Sequence, residues 1–326
     1  MPISVIEPVS AAIQKTKEIL FSPFNAEKWF GLGFCAFLAS LGTGGGSANF
    51  RGNYNGSSSN FNSVGRNATQ QFDKFINEAR NWISEYFVIV VIAGIALFLL
   101  IIALGLLFSW LSSRGQFMFI DGVAKNRGLV KQPWHEYRAE GNSLFKFKVC
   151  LGLIYSFISL VVVGLCVLIA WSDISSKTFG AMAIVAIIIF GVYIFFAVIT
   201  GVTIEFLTHN FVVPTMYLRR VNVMEAWRIV RSTFGDHKFT LCLYFLFMIV
   251  LGIPIAIITS VFACCCCCIG CILTIPYVGS VILLPISVFW RSYSLYFLEQ
   301  FGPEWQFFVR PNDALSGEVE PDATVN

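Results

Sequence analysis

The chain has 326 residues, 56% of them hydrophobic and 13% charged, with a mean hydropathy of +0.73 and a formal net charge of +3. So much apolar surface with so few polar groups excludes a soluble globular domain, and no large polar region exists to house a soluble enzyme. Nothing in the composition points to nucleic acid.

The first 28 residues carry mixed charge. Ile6, Val9, Ile13 and Leu20 recur near helical spacing with Lys15 and Lys17 among them, the pattern of an amphipathic helix lying in a headgroup plane. Residues 29–41 form a short apolar run, which also has the length of a signal-peptide core. Residues 42–68 are rich in Gly, Ser and Asn and read as a loop. Its Gly42–Ser47 stretch lacks the Gly-Lys-Ser/Thr ending of a phosphate-binding loop. Asn55 and Asn67 match the glycosylation pattern, as an Asn/Ser-rich loop does by composition alone. Phe72, Phe75, Ile76, Ala79 and Ile83 then mark a second amphipathic helix.

Five longer apolar runs follow, at about 86–110, 149–171, 179–204, 239–262 and 278–297. About 20 apolar residues cross roughly 30 Å of hydrocarbon as a helix. The runs lack strand-like alternation, so helices are expected rather than a β-barrel. Residues 302–326 are Pro-punctuated and acidic at Glu318, Glu320 and Asp322, and read as a disordered tail on a single membrane domain spanning 1–301.

The cations are unevenly placed. Lys15, Lys17 and Lys28 precede the first run. Arg114, Lys125, Arg127, Lys131, Arg138, Lys146 and Lys148 fill the second loop, and Arg219, Arg220, Arg228, Arg231 and Lys238 the fourth. Arg291 and Arg310 lie near the end. These are seventeen of the 22 Lys and Arg residues; the other loops hold Arg51, Arg66, Lys74, Arg80 and Lys177. The positive-inside rule therefore puts both termini and loops two and four in the cytoplasm, which requires an even number of crossings. Residues 29–41 are thus expected to cross as well, giving six.

The two basic loops resemble each other. Trp134 and Trp227 are 93 residues apart, and the pairs Lys146-Phe147 and Lys238-Phe239 are 92 apart. Lys28-Trp29 has the same form, displaced by an extra 26 residues, about the length of the Gly/Ser/Asn-rich loop. The pattern predicts three hairpins, each entered through a cytoplasmic amphipathic elbow. In the best-formed elbow Asn222 and Glu225 suggest a capped helix start, followed by Val223, Trp227, Val230 and Phe234 on one side with Arg228 and Arg231 on the other. Trp134, Arg138, Lys146, Trp227, Arg228, Arg231, Lys238 and Arg291 are the candidate interfacial residues, suited to anionic lipid headgroups or to a membrane partner. The competing reading is that the elbows cap the bundle with their apolar faces inward.

Chemistry-bearing motifs are sparse. Cys264–Cys268 with Cys271 contains a Cys-x-x-Cys. Consecutive residues point all round a helix, and no His, Asp or Glu lies nearby, so packing by small apolar side chains is expected. A thiol or metal site at Cys264, Cys268 and Cys271 is the alternative. His135, His209 and His237 with Glu136, Glu205 and Asp236 have no metal-binding spacing and read as solvated or interfacial. No nucleophile motif occurs. The centres of all the apolar runs are uncharged, unlike those of most ion-coupled transporters. Glu205 and Arg291 are expected to reach the interface from cytoplasmic helix ends. Pro254 and Pro285 interrupt two runs, as broken helices along a solute path do.

Phe211-Val212-Val213-Pro214, Glu225-Ala226-Trp227-Arg228 and Phe289-Trp290-Arg291-Ser292-Tyr293-Ser294-Leu295-Tyr296-Phe297-Leu298, preceded by Pro285, resemble uncharacterised bacterial six-helix membrane proteins. The layout is similar to the membrane domain attached to some glycerophosphodiester phosphodiesterases. The resemblance implies a helical bundle in a bacterial cytoplasmic membrane. It implies no reaction, because the His and Glu motifs of the phosphodiesterase are absent.

The sequence thus predicts an all-α membrane protein: six transmembrane helices in three hairpins with interfacial amphipathic elbow helices. It is expected to be non-enzymatic and without cofactor, engaging lipid headgroups or a membrane partner. A transporter or pore for an uncharged or amphipathic solute is the alternative.

Overall fold

The computed structural model describes residues 4–41, 86–176, 180–235, 238–265 and 276–308. Among these, all regular structure is helical. In chain order it comprises α1 (Glu7–Phe21), α2 (Ala26–Ser40), α3 (Phe87–Ala124), α4 (Lys131–Glu136), α5 (Arg138–Ser175) and α6 (Ala181–Leu207). A five-residue π-helical turn (Thr208–Val212) leads into α7 (Val213–Arg219), α8 (Val223–Phe234), α9 (Lys238–Cys265), α10 (Pro276–Ile282) and α11 (Leu284–Glu299). A 3₁₀ turn, Pro303–Trp305, follows. The chain divides into two compact units, Asn49–Phe108 and the remainder. The described part of the smaller unit is the apolar beginning of α3, with Val88, Ile92, Ile95 and Phe98 exposed.

Among the described residues four helices are long and apolar enough to cross a membrane: Val88–Ala124, Arg138–Asp173, Ala181–Arg219 and Phe239–Val261. α3 and α5 have 38 residues each. At 1.5 Å per residue that is about 57 Å, nearly twice the hydrocarbon thickness. Their composition divides accordingly. Within the larger unit, Ile154, Phe157, Leu160, Leu168, Ile188, Phe195 and Ile257 stand exposed, as lipid-facing side chains do, whereas Phe117, Met118, Ile120, Leu144, Phe211 and Met216 at the overrunning ends are fully buried. The folded core lies at those ends.

The other two apolar runs behave differently. α2 has 15 residues, about 22 Å, and buries Leu32, Cys35, Ala36 and Leu38. It crosses the end of α3 closely: Ser112 donates to the Ala39 carbonyl at 2.8 Å, and a Cβ on Gly115 would lie 2.6 Å from the backbone of Leu38 and Ala39. The run 278–297 breaks at Leu283, which separates α10 from α11, and α11 is buried along most of its length.

Aromatic rings fill the core where α6, α8, α9 and α11 converge. Tyr244 stacks on Tyr293 at 5.4 Å and meets Phe297 at 4.3 Å, while Phe234 contacts Phe211 at 4.9 Å and Phe301 at 4.5 Å. Past residue 301 the chain still packs on the core, with Trp305, Phe307 and Phe308 buried. Residues beyond 308, the loop 42–68, the helix expected at 72–83, Asp236, His237 and Cys266–Cys271 lie outside the described residues.

Three times an elbow helix, a short break and an apolar helix succeed one another: α1–α2, α4–α5 and α8–α9. The described elbows divide between the two readings of their apolar faces. α8 buries Val223, Ala226, Val230 and Phe234 and leaves Trp227 half-buried, so its apolar face turns into the core. Asn222 does occupy the N-cap position, but its side chain makes no capping hydrogen bond. The first amide is instead held by Ser143 Oγ at 3.2 Å, and Glu225 pairs with Arg228 at 2.8 Å. On α1 the buried stripe is Pro8, Ala12, Thr16 and Ile19, which leaves Ile6 and Ile13 exposed. One face of α1 thus serves the core and another remains available to a membrane surface.

Candidate functional site

The overrunning ends carry charge into the protein interior, outside the uncharged centres of the apolar runs. Asp121 is fully buried and is surrounded by four groups. Arg127 donates through Nε at 2.9 Å and brings Nη2 to 2.8 Å as an ion pair, Lys125 approaches to 2.9 Å, and Tyr137 and Tyr217 donate at 3.2 and 3.3 Å. Arg220, left-handed at φ 53°, lies over the Tyr137 ring at 3.9 Å, bonds Glu136 and approaches Glu140 to 3.6 Å. Burial beneath this stack pushes the Tyr137 phenol up, so it stays a donor. The cluster stitches the end of α3 to α4, α5 and α7. Its charges are matched, which is why they tolerate desolvation.

Two other buried cations have no carboxylate bonded to them among the described residues. Arg114 is sandwiched between Trp110 and Trp134 at 4.5 and 4.8 Å and donates to Asn142 Oδ1 at 3.2 Å. Arg291 is only 3% exposed, buried within the protein rather than on its surface. It donates to the His209 carbonyl at 2.9 Å, and its Nη2 lies 2.9 Å from His209 Nε2. Ser294 donates to the Asn210 carbonyl at 2.8 Å. The π turn widens the helix and releases these carbonyls from the regular i→i+4 ladder. Arg291 and Ser294 of α11 take them up, which gives the Arg-Ser-Tyr-Ser motif a structural role.

Beside this turn lies a cavity of about 340 Å³, lined from α3 by Ser109 and Gln116, from α5 by Phe147, Lys148, Leu151, Gly152 and Tyr155, and from α6 and the π turn by Gly201, Ile204, Glu205, Thr208 and His209. The expected membrane boundaries of the three runs, at residues 110, 149 and 204, fall on this lining. Gly152 and Gly201 create the space, as a Cβ at Gly152 would meet nothing within 4 Å. Two buried polar atoms of the lining, Lys148 Nζ and Gln116 Oε1, have no hydrogen-bond partner among the described residues. A buried, unpaired ammonium costs several kcal/mol. Glu205 is exposed at the edge, and the structure gives it no ion pair with Lys148. The pocket thus holds an unmatched cation inside and a carboxylate at its rim.

The sequence candidates scatter around this site. Trp134 packs on Arg114 and Trp110, Trp227 on Phe147 at 6.2 Å, and Arg138, Lys146, Arg228 and Arg231 are exposed. Lys238 opens α9. Of the histidines, His135 is exposed and His209 lines the pocket. Cys264 lies near the end of α9, and Cys268 and Cys271 fall outside the described residues. Sequence reasoning passed over Lys148 and Gln116. A signal for Lys148 was present: Lys146 and Lys148, two apart on one helix, project about 200° from each other, so one of them had to face inward.

No curated protein matches the chain, and no solved structure does. One family model matches residues 3–283, most of its length. The chain, an all-helical membrane protein with a pocket at the polar ends of its long helices, belongs to the family of unknown function DUF7544.

Proposed function

We propose that this protein is a non-catalytic, multi-pass protein of a bacterial cytoplasmic membrane that holds the polar end of a lipid in the Lys148 pocket. The observation that carries this reading is the buried Lys148 ammonium, which lines a cavity yet has no partner, at the boundary between apolar and polar helix segments. An anionic headgroup supplies what the ammonium lacks, and acyl chains would lie along the exposed apolar flanks of α5 and α6.

Further support comes from the basic segments. Contacts join the N-terminal segment, loops two and four and the C-terminal end: Lys28 to Asn126, Arg220 to Glu136, Arg219 to Glu304, and Tyr293 to the Val5 carbonyl. In this reading that end faces the cytoplasm, with both termini on it. Two further crossings, through Ala26–Ser40 and Pro276–Glu299, complete six helices in three hairpins. Ile6 and Ile13 with Lys17 rest on an anionic surface or on a membrane partner. The layout similar to the phosphodiesterase-linked membrane domain fits a lipid-handling role without the hydrolase.

The test is lipid retention. The purified chain is exhaustively delipidated in detergent, and its bound phospholipid is counted by native mass spectrometry. Wild type should retain about one tightly held phospholipid that Lys148→Met loses. Equal retention by the variant refutes the reading.

The same pocket, with Pro254 inside α9, favours a second reading, movement of an amphipathic solute. Flux of a tail-labelled amphiphile across proteoliposomes, blocked by Gly152→Leu, would replace static binding with transport.

A further inference from the structure

We propose that the lipid bound in this pocket carries a zwitterionic headgroup with a free amine, its phosphate on Lys148 and its primary ammonium between Glu205 and Gln116 Oε1. The proposal rests on the lipid reading above and deepens it by naming the headgroup. The pocket holds one buried cation, one buried unsatisfied acceptor and one carboxylate, on three different helical segments. Had Lys148 and Glu205 closed on each other, they would form an ion pair and leave nothing to recognise. They are not within ion-pairing distance, so opposite charges stand apart across one cavity.

A purely anionic headgroup satisfies Lys148 but meets Glu205 as a like charge. A quaternary ammonium matches the charge of Glu205 but has no N–H for the Gln116 acceptor, which stays unsatisfied at a cost. A primary ammonium serves both. The cavity volume, about 340 Å³, lies at the small end of ligand pockets and suits a headgroup of this size without its acyl chains. Glu205 at the exposed edge and Lys148 inside also set the direction, phosphate inward and amine toward the rim.

Short-chain phospholipids with ethanolamine, choline and glycerol headgroups, and free phosphoethanolamine, are titrated against the full chain in detergent and followed by native mass spectrometry. The ethanolamine lipid should bind at least about tenfold more tightly than the other two lipids, and free phosphoethanolamine more weakly still. Glu205→Gln should bring the ethanolamine lipid down to the level of the glycerol lipid, while Lys148→Met weakens all of them. Gly152→Leu, which fills open space and spares the core, should abolish binding and keeps the test valid if Lys148→Met fails to fold.

Equal affinity for ethanolamine and glycerol lipids, or a ratio unchanged by Glu205→Gln, overturns the proposal and leaves the lipid reading standing. Saturation by free phosphoethanolamine as tight as by the lipid makes the ligand a soluble amine phosphate and overturns the lipid assignment. Absence of saturable binding to any lipid defeats the underlying reading itself.

Discussion

Asp121 shows how a single buried carboxylate can be stable and indispensable together. It sits at zero exposure with two cations and two phenols around it. Removing the anion strands Arg127 and two phenols in a desolvated site. Asp121→Ala is expected to destabilise the fold by about 3–5 kcal/mol, read as a lowered unfolding midpoint in detergent. Replacing Lys125 should cost far less, because its side chain is 44% exposed and its attraction is screened by water. Lys148 is the opposite case, a buried cation whose partner the protein does not provide. Lys148→Met should therefore leave the unfolding midpoint unchanged or raised while removing the bound lipid.

At the scale of elements, the close crossing of α2 and α3 depends on Gly115. A side chain there would push α2 away and break the Ser112–Ala39 hydrogen bond. Gly115→Val is predicted to destabilise by about 1–3 kcal/mol, the usual range for overpacking, measurable by the same unfolding midpoint. The π turn depends on α11 in a different way. Arg291 reaches both the carbonyl and the ring of His209. Lysine keeps the charge but cannot make this two-point contact. Arg291→Lys should leave the protein folded and weaken lipid retention about fivefold, about 1 kcal/mol, by loosening His209 at the pocket wall. Unchanged retention would show that Arg291 serves the fold alone. The Arg-Ser-Tyr-Ser motif was conspicuous in the sequence, but its purpose required knowing that the turn opposite it is a π helix.

For the molecule as a whole, the proposed topology puts the positively charged segments on one side of the membrane. Lys17→Cys, His135→Cys and Arg228→Cys, each in a cysteine-free background, are expected to react with an impermeant maleimide from the same side. Labelling of any one from the opposite side would break the arrangement. The gathering of four basic segments was legible in advance, because a cation count sums over a loop and is indifferent to which way each side chain points. Four long helices were legible for the same reason, as hydropathy is a sum over neighbours along the chain.

What the sequence determined by itself was additive and local: an all-helical membrane protein, its long apolar segments, and the grouping of its cations. Tertiary structure alone decided that α3 and α5 overrun the bilayer length, that α1 presents Ile6 and Ile13 outward, and that Arg291 is buried while Lys148 faces a cavity. Each of these depends on which face of a helix meets a partner dozens or hundreds of residues away. Hydropathy sums carry no information about rotation round a helix axis. A cation on a short polar segment therefore reads the same whether it meets solvent, an acid or an empty pocket, and only packing tells them apart.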